Sequence, residues 1–301
     1  MTIYDALLYG KETVGTRDAK LFLSHITGYS VNGLVLKPMD KLTETDVNEF
    51  RSFVARRQTG EPLQYIIGAW EFMGLPMLCD KRALIPRPET ELLVEDVLEF
   101  LKQSGGEKVR VLDVCTGTGC IALAVAALTD AQVEVVAVDI CENALALAKE
   151  NAANLGLSHC VEFVQSDLLA ALYSGDDFGH TEHSANSVEL PKFPAEKKFH
   201  IIISNPPYIP TAEMHTLSPT VRDHEPHRAL HGGTDGLDFY RRLIPQCKNA
   251  LHDNGALFLE IGPMGVLGIM KGAGFAEINL RRDYAELPRI VRGMATSENP
   301  C

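Results

Sequence analysis

The 301 residues are 46% hydrophobic and 23% charged, the balance of a soluble globular chain with room for one sizeable α/β core and a smaller partner. No run approaches the roughly 20 consecutive apolar residues of a membrane span, and the opening Met1–Asp5 lacks the features of a secretory leader. The formal charge of −12 argues against stable binding along a nucleic-acid backbone, and the seven scattered cysteines, odd in number and without a C-x-x-C pair, suggest neither a disulfide framework nor a zinc site and fit a reducing cytoplasm.

From Met1 to about Gly68, apolar residues recur at helical spacing, as in Ala19, Leu21, Phe22, Leu23 and Ile26, then Val47, Phe50, Phe53 and Val54. Four or five short helices are predicted, with breaks at Gly10, Gly28, Gly33 and Pro38. Thr43 with Asp46 three residues later predicts a helix start. Between Trp70 and Pro88, short apolar pieces punctuated by Gly74, Pro76, Pro86 and Pro88 predict a hairpin or extended linker. The expected division is a helical domain over 1–69, a hairpin linker over 70–88 and a larger domain over 89–301.

A helix over Glu89 to Gln103 opens the larger domain. Strands and helices then alternate: strand Val109–Val114, helix Ile121–Leu128, strand Val133–Val138, helix Glu142–Leu155, strand Val161–Val164. Phe199–Ile203 is the fourth strand, Leu237–His252 a helix and Ala256–Ile261 the fifth strand. The segments around Phe275–Leu280 and Arg289–Arg292 are expected to close the sheet antiparallel. Alternation of this kind predicts parallel strands with helical crossovers, a doubly wound α/β sheet of Rossmann-like type. Residues 174 to 198, rich in Gly, Asp, Ser, His and Pro, read as an irregular surface insertion or a substrate-facing lid.

The first strand of this sheet runs into Cys115-Thr116-Gly117-Thr118-Gly119-Cys120 and straight into a helix, giving G-x-G-x-x-A with Ala122 last. Glycines there permit a tight turn and close approach of a nucleotide or adenosyl group. Asp139 ends the second strand 20 residues after Gly119, where a carboxylate accepts hydrogen bonds from ribose hydroxyls, a spacing that suits nicotinamide cofactors equally well. Asp113 adds the Asp-x-x-x-Gly-x-Gly arrangement common in methyltransferases; alternatively it is a buried carboxylate that orders the loop. Ser166-Asp167-Leu168 follows the third strand, where an adenine would find an acceptor and an apolar wall.

Asn205-Pro206-Pro207-Tyr208 follows the fourth strand directly, at a carboxyl end where open α/β sheets bind ligands. A planar NH2 group is a poor nucleophile because its lone pair is delocalised. Acceptance of its two hydrogens by the Asn205 side-chain oxygen and the Pro206 carbonyl favours attack by that lone pair. The two prolines hold these acceptors rigidly, and the Tyr208 ring stacks on a planar amide or base. Displacement at a sulfonium methyl needs no metal and no strong base, so the expected cofactor is S-adenosylmethionine, with no metal. His224 and His227, lacking further ligands, read as solvated loop histidines.

Asn-Pro-Pro-Tyr alone does not distinguish adenine in DNA, guanine in RNA or glutamine in protein. Other segments do. Gly60-Glu61-Pro62-Leu63-Gln64-Tyr65-Ile66-Ile67-Gly68, Leu84-Ile85-Pro86-Arg87-Pro88-Glu89-Thr90-Glu91, the Thr116–Gly119 loop, Asn205-Pro206-Pro207-Tyr208-Ile209-Pro210, and Glu225-Pro226 leading to Gly233-Thr234-Asp235-Gly236-Leu237 resemble the HemK/PrmC family of peptide chain release factor N5-glutamine methyltransferases. That resemblance, over nearly the whole chain, implies a helical recognition domain, a hairpin and a methyltransferase domain acting on the glutamine of a Gly-Gly-Gln loop in class I release factors. It carries cofactor contacts to Cys115, Thr116, Gly117, Thr118, Gly119, Asp139, Leu168 and Asn205, and substrate contacts to Asn205, Pro206, Pro207 and Tyr208. Catalysis falls to Asn205, Pro206 and Tyr208, while Arg87 and Glu89 brace the pocket or pair structurally. Two departures stand out: the insertion near 174–198, and Gly265 where relatives commonly carry Gln. Rival readings are a DNA or RNA amino-methyltransferase, a non-catalytic release-factor-binding or cofactor-sensing protein, and an NAD-dependent oxidoreductase.

Overall fold

A computed structural model describes residues 1–103, 107–173 and 193–296, so most of the expected 174–198 insertion lies outside the described residues. These residues form two compact units. The smaller comprises Met1–Trp70 with two later stretches, Cys79–Lys81 and Leu217–Glu225; the larger comprises the remainder.

In its first stretch the smaller unit has the helices α1 (Ile3–Thr13), α2 (Thr16–Thr27), α3 (Val31–Leu36), α4 (Glu44–Gln58) and α5 (Leu63–Ile67), and its stretch Leu217–Glu225 adds the short helix Pro219–His224. The Thr43–Asp46 start is a reciprocal capping box, the Asp46 N–H donating to Thr43 Oγ1 at 3.1 Å and the Thr43 N–H to the Asp46 carboxylate at 2.9 Å. Phe22, Leu23, Leu34, Phe50 and Val54 are fully buried and form its core. Gly28 ends α2 in the left-handed conformation, as expected. Gly10 and Gly33 do not break helices. Gly10 lies inside α1 because a Cβ there would stand 2.6 Å from the Ala19 Cβ and 2.9 Å from the Phe50 ring; its absence lets α1 touch α2. Gly33 lies within α3, whose first turn is closed by the Ser30 hydroxyl accepting the Gly33 N–H.

A two-stranded hairpin follows, β1 (Ala69–Phe72) and β2 (Leu75–Leu78). Next come α6 (Pro88–Leu101), β3 (Val109–Val114), α7 (Cys120–Leu128), β4 (Val133–Asp139), α8 (Glu142–Asn154), β5 (Val161–Gln165), β6 (Phe199–Ser204), α9 (Pro219–His224), α10 (Asp238–Ala250), β7 (Leu251–Glu260), α11 (Val266–Gly272), β8 (Phe275–Arg282) and β9 (Pro288–Ala295). The larger unit holds a seven-stranded sheet in the order β5-β4-β3-β6-β7-β9-β8. Strands β3 to β7 pair in parallel, and β9 lies antiparallel between β7 and β8. Val-, Ile- and Leu-rich strands buried on both faces account for a parallel sheet covered by helices.

Two boundaries differ from the sequence expectation. Helix α10 stops at Ala250 instead of continuing to His252, because Leu251 is drawn into the sheet opposite Phe199. Helix α11 was not expected; Gly265, the departure from the family pattern, stands at its start, where a Cβ would come within 2.7 Å of the end of the Leu237 side chain, which would have to shift to admit a larger residue. Chain order reverses between β3 and β6, which makes their carboxyl ends the switch point where such sheets bind ligands.

Candidate active site

Val114 pairs with Ser204 at the ends of β3 and β6, so the Cys115–Gly119 loop and the Asn205–Tyr208 loop leave adjacent strands at the same level. The Ser204 hydroxyl donates to the Val114 carbonyl at 2.6 Å and fastens the two ends together.

The glycine loop is a tight turn. Cys115, Gly117 and Gly119 have φ of 62°, 57° and 81°, so a non-glycine residue holds the left-handed conformation at the head of the loop. Such strain costs of order 1–3 kcal/mol and concentrates at ligand sites. Asp113 is fully buried and orders the turn, its carboxylate accepting the Thr116 hydroxyl at 2.6 Å and the Ala122 N–H at 3.3 Å. Burial pushes its carboxyl up to about 7. Gly119 leads into α7, where a Cβ would come 3.1 Å from Ala148. The Thr118 carbonyl accepts the fully buried Asn151 side chain at 3.0 Å, and Asn151 also accepts the Leu78 N–H at 2.6 Å. Asn151, which carries no motif, thus ties the hairpin to the loop.

Asp139 ends β4 with its carboxylate accepting the Gly117 N–H at 2.9 Å and the Cys141 N–H at 2.8 Å. Each oxygen keeps a further lone pair for a ligand hydroxyl. Burial raises its pKa, opposed by these backbone bonds and the charge of Arg228. Burial also pushes up the Cys115 thiol, and the carboxylates of Asp139, Asp113 and Asp167 push it further. Leu168 is also left-handed, at φ 52°, but its side chain is buried in the core; Asp167 beside it is half-exposed and bonded to Arg242 at 2.6 Å.

On the neighbouring loop Pro206 and Pro207 are buried, while Asn205 and Tyr208 are half-exposed. The Asn205 Nδ2 donates to Thr90 Oγ1 at 3.1 Å, the Thr90 hydroxyl donates to Glu260 Oε2 at 2.6 Å, and the Tyr208 hydroxyl donates to Glu260 Oε1 at 3.2 Å. Arg289, held by Asp283 at 3.1 Å, stands 3.5 Å from the Tyr208 hydroxyl. Burial raises the pKa of Glu260, against the Thr90 and Tyr208 hydroxyls and the charge of Arg289; Glu89 raises it further. Three glycines crowd Tyr208: a Cβ at Gly262 would meet its ring at 2.6 Å, one at Gly232 its Cα at 2.6 Å, and one at Gly236 its carbonyl oxygen at 2.3 Å. Gly232, Gly236 and Gly262 are therefore packed closely around Tyr208.

Thr90, Glu260, Arg289 and Asn151 are the residues that motif reading missed. Thr90 and Glu260 lie inside or beside quoted segments, but their pairing spans 170 positions. Arg87 precedes α6, and Glu89 acts on Glu260. His224 is not the solvated loop residue expected: it ends α9, is partly buried and lies beside Gly60, whereas His227 is exposed. Among the described residues no group of three or more His, Cys, Asp or Glu stands ready to hold a metal.

Residues 13–68 match the model of the PrmC N-terminal domain, and residues 106–205 match a methyltransferase domain. The release factor glutamine methyltransferase of Clostridium acetobutylicum is 36% identical over 301 residues, spanning 97% of this chain and 98% of that relative. This chain belongs to the release factor glutamine methyltransferase family. Its member from Bradyrhizobium diazoefficiens is 39% identical over 280 residues, 91% of this chain and 86% of that protein. Among solved structures, the 16S rRNA N2 G1207 methyltransferase of Thermus thermophilus, in complex with AdoMet and guanosine, is similar at 19% identity, with a TM-score of 0.49 over 75% of this chain and 49% of that one.

Proposed function

We propose that this family member transfers a methyl group from S-adenosylmethionine to the side-chain amide nitrogen of the glutamine in the Gly-Gly-Gln loop of class I release factors, modulating translation termination in the cytoplasm. On this reading the helical unit recognises the release factor. One observation carries the proposal: a glycine-turned loop and a proline-stiffened carboxamide leave adjacent strands at one level. Glutamine as acceptor is supported by the relatives' names and by the segments shared with them.

The residues present fit the cofactor. The Asp139 carboxylate at the end of β4 can accept from ribose hydroxyls, and the positive-φ glycines let the donor approach backbone closely. S-adenosylmethionine supplies an electrophilic methyl whose departure leaves a neutral thioether. The protein's part is positioning. Asn205 Oδ1 and the Pro206 carbonyl would accept the two amide hydrogens and so orient the nitrogen lone pair and share the positive charge that develops on it, one of those hydrogens being lost as a proton once the methyl has passed from sulfur to nitrogen. Tyr208, its hydroxyl anchored on Glu260, holds the ring on which a planar amide would stack.

Asp139→Ala removes a carboxylate that takes two backbone N–H groups and faces the ribose. Hydrogen bonds to charged groups contribute about 1.5–3 kcal/mol. Calorimetric titration should show S-adenosylmethionine bound roughly 10- to 100-fold more weakly, with the acceptor KM little changed; unchanged cofactor affinity would remove Asp139 from the site.

The acceptor is tested with radiolabelled S-adenosylmethionine and three substrates: a class I release factor, its Gly-Gly-Gln→Gly-Gly-Ala variant, and nucleic acid. Label is expected on the first alone. Label on nucleic acid and none on the release factor would replace glutamine by a base amino group.

A further inference from the structure

We infer that Thr90 and Glu260 are positioning residues that decide which end of the Asn205 carboxamide faces the substrate, acting through the polarity of a hydrogen-bond chain. The inference rests on Asn205 as the acceptor of the substrate amide hydrogens.

A threonine hydroxyl has one hydrogen to give and two lone pairs to accept with. In Thr90 the hydrogen goes to Glu260 Oε2 at 2.6 Å, within the short range of hydroxyl–carboxylate bonds. The other carboxylate oxygen, Oε1, accepts the Tyr208 hydroxyl at 3.2 Å. Taken as the ionised carboxylate, Glu260 accepts at both oxygens. Burial raises the cost of that ionisation, and the two hydroxyls and the charge of Arg289, itself held by Asp283, oppose that cost.

An ionised Glu260 cannot donate. Thr90 must then give its hydrogen to Glu260, and only a lone pair remains for Asn205. That lone pair takes the Asn205 Nδ2–H at 3.1 Å. The NH2 end of the carboxamide is thereby committed to Thr90, and the oxygen, on the other branch of the same planar group, is left to accept from a substrate nitrogen. Without the chain the amide is free to turn over, and the Thr90 hydroxyl is free to donate to the Asn205 oxygen. An inverted Asn205 would set N–H against the substrate N–H and hold the nucleophile in the wrong orientation. Glu260 ends β7 and Thr90 sits in the first turn of α6, so both ends of the chain stand on rigid elements.

Thr90→Val keeps the shape and removes the hydroxyl; Thr90→Ser keeps the hydroxyl and removes the methyl. With the release factor as substrate, Thr90→Val is expected to lower kcat about 10- to 100-fold while S-adenosylmethionine affinity stays within about twofold, and Thr90→Ser to keep kcat within about threefold of wild type. If Thr90→Val melts before assay, Glu260→Gln provides the same test, since its amide can donate to Thr90 and release that hydroxyl toward Asn205; the same loss in kcat is expected. Wild-type kcat in either folded variant, or a Thr90→Ser as impaired as Thr90→Val, overturns the inference. A wild-type protein that labels no glutamine removes the acceptor reading as well, and a wild type that labels it while Thr90→Val matches its rate removes the chain alone.

Discussion

Replacing Asn205 by alanine should reduce methyl transfer by about 10²–10³ in kcat, the loss typical when one preorganised polar group at a reacting centre is deleted. The substitution removes the carbonyl oxygen that takes a substrate hydrogen and the amino group that Thr90 holds at 3.1 Å. The fold should survive, because Asn205 is half-exposed and its strand is pinned independently by Ser204 bonding to Val114. Cofactor affinity should fall only modestly, since the glycine loop and Asp139 are untouched. Single-turnover label transfer at saturating S-adenosylmethionine, beside a calorimetric cofactor titration, separates these effects. Turnover equal to wild type would remove Asn205 from the chemistry.

A second large effect is expected at Gly236, which is far less obvious in the sequence. Its φ is 77°, and an added Cβ would stand 2.3 Å from the Tyr208 carbonyl oxygen and 2.9 Å from Pro263. Left-handed strain costs of order 1–3 kcal/mol and overpacking about as much again. Gly236→Ala should therefore lose roughly 2–5 kcal/mol of stability in denaturant titration. Because the displaced atom belongs to the substrate loop, kcat should fall even in the population that remains folded. Gly268→Ala is the matched control: it is exposed, lies within α11 and has open space around it, so it should be neutral or stabilising by about 0.5–1 kcal/mol. A Gly236→Ala as stable and active as this control would show that the loop tolerates movement the packing denies it.

The contrast between these two residues marks what was legible in the sequence. Asn205 and the Gly117–Gly119 turn are read locally, because strand, loop and reacting group follow one another along the chain and their chemistry needs that order. Alternating apolar segments made the parallel sheet legible for the same reason. Thr90, Glu260 and Arg289 were not legible as a cluster, since their meeting depends on how α6, β7 and β9 pack, and no periodicity encodes it. Gly10 and Gly33 were misread as breaks because a glycine in one dimension signals flexibility, whereas in α1 the missing Cβ is what admits the neighbouring helix. Leu251 was assigned to the wrong element since nothing local separates the last turn of α10 from a strand that begins without a loop.

The smaller unit includes Leu217–Glu225, a stretch that follows the substrate loop by only nine positions, as well as Cys79–Lys81. The backbone thus leaves that unit and returns to it twice before finishing in the larger one. No single scissile point divides the two. A fragment beginning near residue 70 would still carry two orphaned pieces of the helical unit, one of them just downstream of Tyr208 and deprived of the helices it belongs with. Point substitutions on the helices, which leave both returning stretches in place, are the cleaner probe of recognition.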